Sequence, residues 1–238
     1  VILEVRALHA GYDRTRDIVG GVDLSLAAGE IVTIIGQNGA GKSTVLKGIA
    51  NLIRHRRGEV FLDGDSVFAH SAQHLLRLGL AYIPQGRSLF PQLTVAENIA
   101  IGGYILRDRA MVRERAAELE AKFVDLGAMR QTLAGSLSGG QQRMLEIART
   151  LMTAPRVLML DEPSIGLAPS IVAQVFRLLR QLAAEGVAVL MVEQNVRAAL
   201  EISDRGYVLE FGRVRLEDQA SALLADRRIE QLYMGIRR

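Results

Sequence analysis

The chain has 238 residues, 49% hydrophobic and 23% charged, with a net charge of +3 and no cysteine. That is enough for one sizeable domain with its own core. The missing cysteines exclude disulfide scaffolds, thiolate zinc sites and cysteine nucleophiles, and the mild basic excess does not point to nucleic acid. No apolar run approaches the roughly 18 residues of a membrane span, and Glu4 and Arg6 interrupt the first apolar stretch, so no signal peptide is expected. The chain reads as soluble by itself, with any membrane spans supplied by other chains.

Residues 1–30 alternate apolar and polar (Leu3, Val5, then Val22, Leu24, Leu26), as antiparallel strands with one wet face do. After a turn at Ala28-Gly29-Glu30, Ile31–Ile35 is a short apolar run of the kind buried on both faces of a sheet. Glycines follow, then a helical pattern through Val45, Leu46, Ile49 and Leu52. Val60–Leu62 and Ala81–Ile83 are predicted strands, the first turned by Asp63-Gly64. From Pro84 to about Ala154 helical periodicity dominates, with one helix expected over Arg113–Leu126 carrying a Glu118→Lys122 pair. Strands resume at Val157–Leu160 and Val187–Val192, separated by an amphipathic helix over Ile171–Ala184, and a hairpin turns at Phe211-Gly212. Alternating strands and helices imply a largely parallel sheet. The predicted fold is α/β, with N-terminal antiparallel strands and an inserted helical subdomain.

Gly36-Gln37-Asn38-Gly39-Ala40-Gly41-Lys42-Ser43, followed by Thr44, fits G-x-x-x-x-G-K-[ST] between a buried strand and a helix. Glycines let the backbone wrap a phosphate with its N–H groups pointing inward, and the helix adds its N-terminal dipole. Lysine occurs only at 42, 47 and 122, so a lysine in this loop stands out. The pattern predicts nucleotide binding, with Lys42 on the β- and γ-phosphates and the Ser43 hydroxyl on Mg²⁺.

Val157–Leu160 runs into Asp161-Glu162-Pro163. Carboxylates at the C-terminal end of a parallel strand sit where such sheets place ligands. Downstream of a phosphate loop, Asp161 is expected to hold Mg²⁺ through water and Glu162 to act as general base on the attacking water; the alternative is two acids capping a turn. Leu137-Ser138-Gly139-Gly140-Gln141-Gln142-Arg143 then opens a helix through Met144, Leu145, Ile147, Ala148 and Leu151. A Ser-Gly-Gly helix start is an anion-receptive end, and by itself it is equally an ordinary N-cap.

The phosphate loop, the Leu-Ser-Gly-Gly-Gln segment and the apolar strand ending in Asp-Glu, in this order, resemble the ATPase subunits of ABC transporters, and the resemblance covers essentially the whole chain. It implies a single ATPase domain over 1–238, with a P-loop NTPase core from 1–84 and 156–238 and a helical subdomain from 85–155 carrying the signature. Gly36, Gln37, Asn38, Gly39, Ala40, Gly41, Lys42, Ser43 and Thr44 then bind ATP. Tyr12 fits the aromatic that stacks on adenine, the alternative being a packed tyrosine at a strand end. Gln85, in Tyr82-Ile83-Pro84-Gln85-Gly86, fits the glutamine that touches Mg²⁺ and links core to subdomain. Ser138, Gly139, Gly140 and Gln141 fit the signature that binds the γ-phosphate held by an opposite subunit. Ser164-Ile165-Gly166-Leu167 fits the loop that crosses that interface.

Two positions depart from the family pattern: Ala168 stands where aspartate is usual, and Gln194 stands at the switch position where histidine is usual. Gly166-Leu167-Ala168-Pro169, Val192-Glu193-Gln194-Asn195 and Asp204-Arg205-Gly206-Tyr207-Val208-Leu209-Glu210 together resemble the smaller ATPase subunit of branched-chain amino acid uptake systems, whose relatives also serve urea and short amides. The resemblance implies a head-to-tail dimer with a second, different ATPase subunit, two transmembrane permease subunits, a solute-binding protein reached through them, and a place on the cytoplasmic face of the inner membrane. Gln194 is expected to contact the γ-phosphate or the attacking water, unless it only caps the helix after it.

Two rival readings are a soluble ABC ATPase acting on nucleic acid or ribosomes, which usually has tandem domains or long coiled-coil insertions, and a P-loop small-molecule kinase, in which the signature has no role. Arg54-His55-Arg56-Arg57 reads as a solvated loop, the alternative being a phosphate or lipid contact, and the mixed charges at 107–115 as a wet helical face or a docking surface and not a nucleic-acid track. His9, His70 and His74 lack metal-ligand spacing.

Overall fold

Two sheets meet over one short helix. The computed structural model describes residues 1–86 and 88–229. Strands β1 (Leu3–Gly11) and β2 (Val19–Leu26) are followed by β3 (Ile31–Ile35), α1 (Lys42–Ile49), β4 (His55–Leu62) and β5 (Asp65–Ser66). Helix α2 (Ala72–Arg77) precedes β6 (Leu80–Ile83), after which come α3 (Val95–Gly102), α4 (Arg109–Lys122), α5 (Val124–Ala128) and α6 (Gly139–Leu151). The chain then returns through β7 (Val157–Asp161), α7 (Pro169–Ala184), β8 (Ala188–Val192), α8 (Val196–Ile202), β9 (Arg205–Glu210), β10 (Arg213–Gln219) and α9 (Ala220–Ala225).

The first sheet runs β2-β1-β4-β5 and is antiparallel. The second runs β10-β9-β3-β8-β7-β6, parallel except for β10. The central strands are apolar on both faces because helices cover one side and the first sheet with α1 the other. In β7, Val157 and Met159 join the core shared with β1 and α1, while Leu158 and Leu160 join the core under α6 and α7. Residues of β8 divide the same way, Ala188, Leu190 and Val192 against Val189 and Met191.

Register decides where the loops end. Ile34 lies beside Val192, Val192 beside Asp161, and Leu160 beside Ile83. The segments after β3, β8, β7 and β6 therefore leave the sheet at one edge, where open α/β sheets place ligands.

Local sequence explains the helix starts. Thr94 with Glu97 and Ser138 with Gln141 form capping boxes for α3 and α6. Pro169 begins α7 two residues earlier than the periodicity predicts, at a position that needs no N–H.

Three expectations fail. His55, Arg56 and Arg57 are not loop: they open β4 and pair with Gly11, Ala10 and His9 of β1. The Arg56 guanidinium stacks 3.9 Å from the Phe68 ring centroid and donates to the Phe68 carbonyl. Arg57 pairs with Asp17 at 2.8 Å. The helix expected over Arg113–Leu126 is two, broken at Phe123 (ψ 68°). Lys122 turns from Glu118 to Glu185 beyond α7, at 2.6 Å.

Candidate active site

The loop from Gly36 to Gly41 joins β3 to α1. Gly41 has φ +100°, a conformation L side chains rarely adopt, and a Cβ on Gly36 would lie 2.3 Å from the Leu209 carbonyl oxygen. Helix α1 has no side-chain cap, which leaves its first N–H groups to a ligand. Lys42 is 5% exposed, and its Nζ donates to the Gly36 and Gln37 carbonyls at 2.8 and 3.3 Å.

Three acids face this lysine from the neighbouring strand ends. Burial lowers the Lys42 pKa, while Glu162, Asp161 and Glu193 oppose that shift. Asp161, 1% exposed, accepts hydrogen bonds from the Ser43 hydroxyl at 2.8 Å and the Tyr82 phenol at 2.9 Å. Burial beside Asp161 pushes the Tyr82 pKa up, so the phenol stays a donor.

Glu162 has φ +48°, the left-handed region, which costs a non-glycine residue about 1–2 kcal/mol. Its N–H donates to the Val192 carbonyl at 2.9 Å, and Pro163 disfavours right-handed helical backbone before it. The strained backbone leaves the carboxylate beside Gln85, whose Nε2 donates to Glu162 Oε2 at 2.7 Å. Burial raises the Glu162 pKa above the ordinary value of 4.5; Lys42 and the Gln85 bond act against this, Asp161 and Glu193 with it.

Ile18, Asn38, Gly39, Gly41, Lys42, Ser43, Thr44, Gln85, Glu162, Ile165 and Gln194 line one open cleft of about 460 Å³. Gln194 is exposed there, and the cap of α8 is Asn195, whose Oδ1 accepts from Ala198 N–H at 3.3 Å. The capping alternative for Gln194 is thus removed. Ser43, Asp161 and the Gln85 amide oxygen make an all-oxygen donor set, which fits Mg²⁺ with its preference for a few protein oxygens plus phosphate and water.

Other predicted residues stand apart from the cleft. Tyr12, 59% exposed just past β1, has its hydroxyl 3.5 Å from Lys47 Nζ. Ser138, Gly140 and Gln141 line a separate depression against α5 and α7. The Gln141 amide oxygen accepts from Ser138 N–H at 2.9 Å, closing the capping box. Gly140 packs on Ile171 so closely that a Cβ would meet it at 2.7 Å.

Some participants were not singled out from the sequence. Buried Arg143 and Glu146 pair at 2.9 Å, and Arg143 also reaches the Pro84 and Gln85 carbonyls at 3.4 Å each. Glu146 accepts from Ser88 N–H at 2.7 Å, and Arg149 donates to the Ser88 carbonyl at 2.6 Å. One face of the signature helix α6 thereby grips the segment that carries Gln85. Only the Arg143 position, in the motif, carried a signal for this.

The sequence profile described as ABC transporter matches residues 19–165. The chain belongs to the ABC transporter family. It is the ATPase component of that family, and binds ATP. Among relatives of this cassette, the high-affinity branched-chain amino acid transport ATP-binding protein BraG of Pseudomonas aeruginosa is 41% identical over 90% of this chain and 91% of its own. The probable branched-chain amino acid transport ATP-binding protein LivF of Archaeoglobus fulgidus is 39% identical over 99% of each. The lipopolysaccharide export system ATP-binding protein LptB of Acidithiobacillus ferridurans is 36% identical over 98% of this chain and 97% of its own. The ADP conformation of the ATP-binding cassette MJ1267 superposes with TM-score 0.87 at 27% identity over 99% of each chain. MJ0796, a bacterial ABC transporter cassette solved as a dimer, gives TM-score 0.80 at 26% identity over 92% of this cassette and 98% of its own chain.

Proposed function

We propose that this cassette powers uptake of branched-chain amino acids by hydrolysing MgATP at a site shared between two ATPase subunits. The observation that carries the hydrolytic reading is the meeting of Lys42, Ser43, Asp161, Glu162, Gln85 and Gln194 at one sheet edge. Lys42 and the loop N–H groups hold the phosphates. Ser43, Asp161 and Gln85 would hold Mg²⁺, which would supply charge neutralisation for the phosphates. Glu162 accepts the proton of the attacking water. Gln194 donates to a γ-phosphate oxygen and accepts from that water. Tyr12 stacks on the adenine.

The signature lies outside the phosphate cleft of its own chain. Ser138, Gly139, Gly140 and Gln141 therefore serve the γ-phosphate of a second ATPase subunit, of a different chain, docked head to tail. Residues 85–155 form the helical subdomain that moves on closure, and the α6 grip on Pro84, Gln85 and Ser88 carries the motion to Gln85. Phe90, Ile101 and Tyr104, exposed apolar side chains of this subdomain, offer the permease subunits a surface. No helix among the described residues is long and apolar enough to cross a membrane; the cassette sits on the cytoplasmic face of the inner membrane through two permeases, which a solute-binding protein feeds.

The BraG and LivF likenesses support the solute class, and the LptB likeness makes lipopolysaccharide export the competing reading. The test is to purify the complex through a tag on this cassette, identify its membrane chains and reconstitute it in liposomes. ATP-dependent leucine uptake is expected. ATP-dependent movement of urea, an amide or lipopolysaccharide in place of leucine would overturn the solute assignment while leaving the ATPase intact.

A further inference from the structure

Glu193 is a buried carboxylate that the hydrolytic reading does not use. It is 1% exposed at the end of β8. Its hydrogen bonds go to main-chain donors on two separate segments. Oε1 accepts from Ser164 N–H at 2.8 Å, on the loop after β7. Oε2 accepts from Gln194 N–H at 3.0 Å and Asn195 N–H at 3.3 Å, on the turn after β8. Strands β7 and β8 are neighbours, and Asp161 lies level with Val192, so both segments leave the sheet side by side.

Desolvating a carboxylate is costly, and N–H donors on both oxygens offset that cost. The two oxygens share one rigid plane, so the Ser164 loop cannot shift without drawing on the bond to Gln194. A shorter side chain, or a neutral one with a single acceptor oxygen, could not hold both.

We infer that Glu193 is a positioning residue that holds the 164–167 loop and Gln194 as one unit, so that contact of the partner subunit with the loop sets the place of Gln194 at the γ-phosphate. The inference rests on the ATPase reading proposed above. It gives the glutamine switch a main-chain tether to the interface.

The test is Glu193→Gln, which keeps the shape but presents an NH₂ to one of the two N–H segments. Two measurements are made: amide hydrogen exchange of the free chain, and ATP kinetics of the assembled complex. Exchange at Ser164, or at Gln194 and Asn195, is expected to quicken about tenfold or more, with the Gly41–Ser43 amides unchanged. KM for ATP is expected to stay within about twofold while kcat falls about tenfold or more, as for an interaction felt in the transition state. Adding Gln194→Ala to Glu193→Gln should cost no more than Gln194→Ala alone.

Unchanged exchange and kcat would overturn the inference. So would multiplicative losses in the double variant, or a kcat loss matched by loss of ATP binding, since either marks a general structural role. If Glu193→Gln does not fold, Glu193→Asp, which keeps the charge but cannot span both segments, is read by the same criteria. Normal hydrolysis by Glu162→Gln would instead place the general base elsewhere in the proposed mechanism, and the exchange result would still decide the tether.

Discussion

The Gln85 amide donates to Glu162 Oε2 across 2.7 Å, joining the end of β6 to the strained residue after β7. This bond steadies a carboxylate whose pKa burial raises above 4.5. The folded chain therefore holds the Glu162 proton more tightly than the unfolded chain does. Its contribution to stability is lost as pH rises from the unfolded value through the higher folded one, and the cost is absent below 4.5. With chelator and no nucleotide, Glu162→Gln should raise the thermal midpoint at about pH 8 and lose that advantage at about pH 4. Equal midpoints for both proteins at about pH 8 would show that the buried charge is not strained.

Lys42 is the only lysine in the cleft. Losing the charge-assisted contact proposed for it with the phosphates would cost about 1.5–3 kcal/mol, or roughly ten- to a hundredfold in affinity. Calorimetry of Lys42→Ala with MgATP should show that weakening, with hydrolysis abolished. Wild-type affinity and turnover would remove Lys42 from the site.

Gln194 lines the cleft and leaves capping of α8 to Asn195. The contact proposed for it would matter most as charge develops in the transition state, so Gln194→Ala should slow single-turnover hydrolysis about 10²-fold with ATP affinity kept. Gln194→His should stay active and gain an inflection near pH ~6.5, where histidine titrates. An unchanged rate in Gln194→Ala across that range would show that the switch lies elsewhere.

The buried Arg143–Glu146 pair fixes α6 against the Gln85 segment. Removing one member of such a pair leaves an uncompensated charge, at about 3–5 kcal/mol. Glu146→Ala should lose that much in denaturant unfolding. A loss near zero would mean the grip contributes nothing to the fold.

The sequence made the phosphate loop and Asp161-Glu162 legible because their chemistry depends on residue types at fixed spacing along one strand–loop junction. The central strands were legible because burial on both faces leaves continuous apolar runs. Arg56 and Arg57 were misread because their strand is made by pairing with β1, and nothing local in Arg-His-Arg-Arg announces it. Lys122 was assigned to Glu118 because i,i+4 spacing is visible in sequence, whereas Glu185 comes near only in the fold. The bonds of Glu193 and Glu146 were hidden for the same reason: their donors at Ser164 and Ser88 lie far along the chain.

The central claim is a composite site in which Glu162 activates water for ATP held between two subunits. It is tested most directly by Glu162→Gln in the complex purified through a tag on this chain, mixed with MgATP, with bound nucleotide, released phosphate and the assembly of the two ATPase subunits measured together. Removal of a general base typically costs about 10²–10⁴ in rate. The expected result is a closed pair of ATPase subunits retaining intact ATP, with almost no phosphate released. Phosphate release at the wild-type rate, or ATP retained equally well by the separated chain, would contradict it.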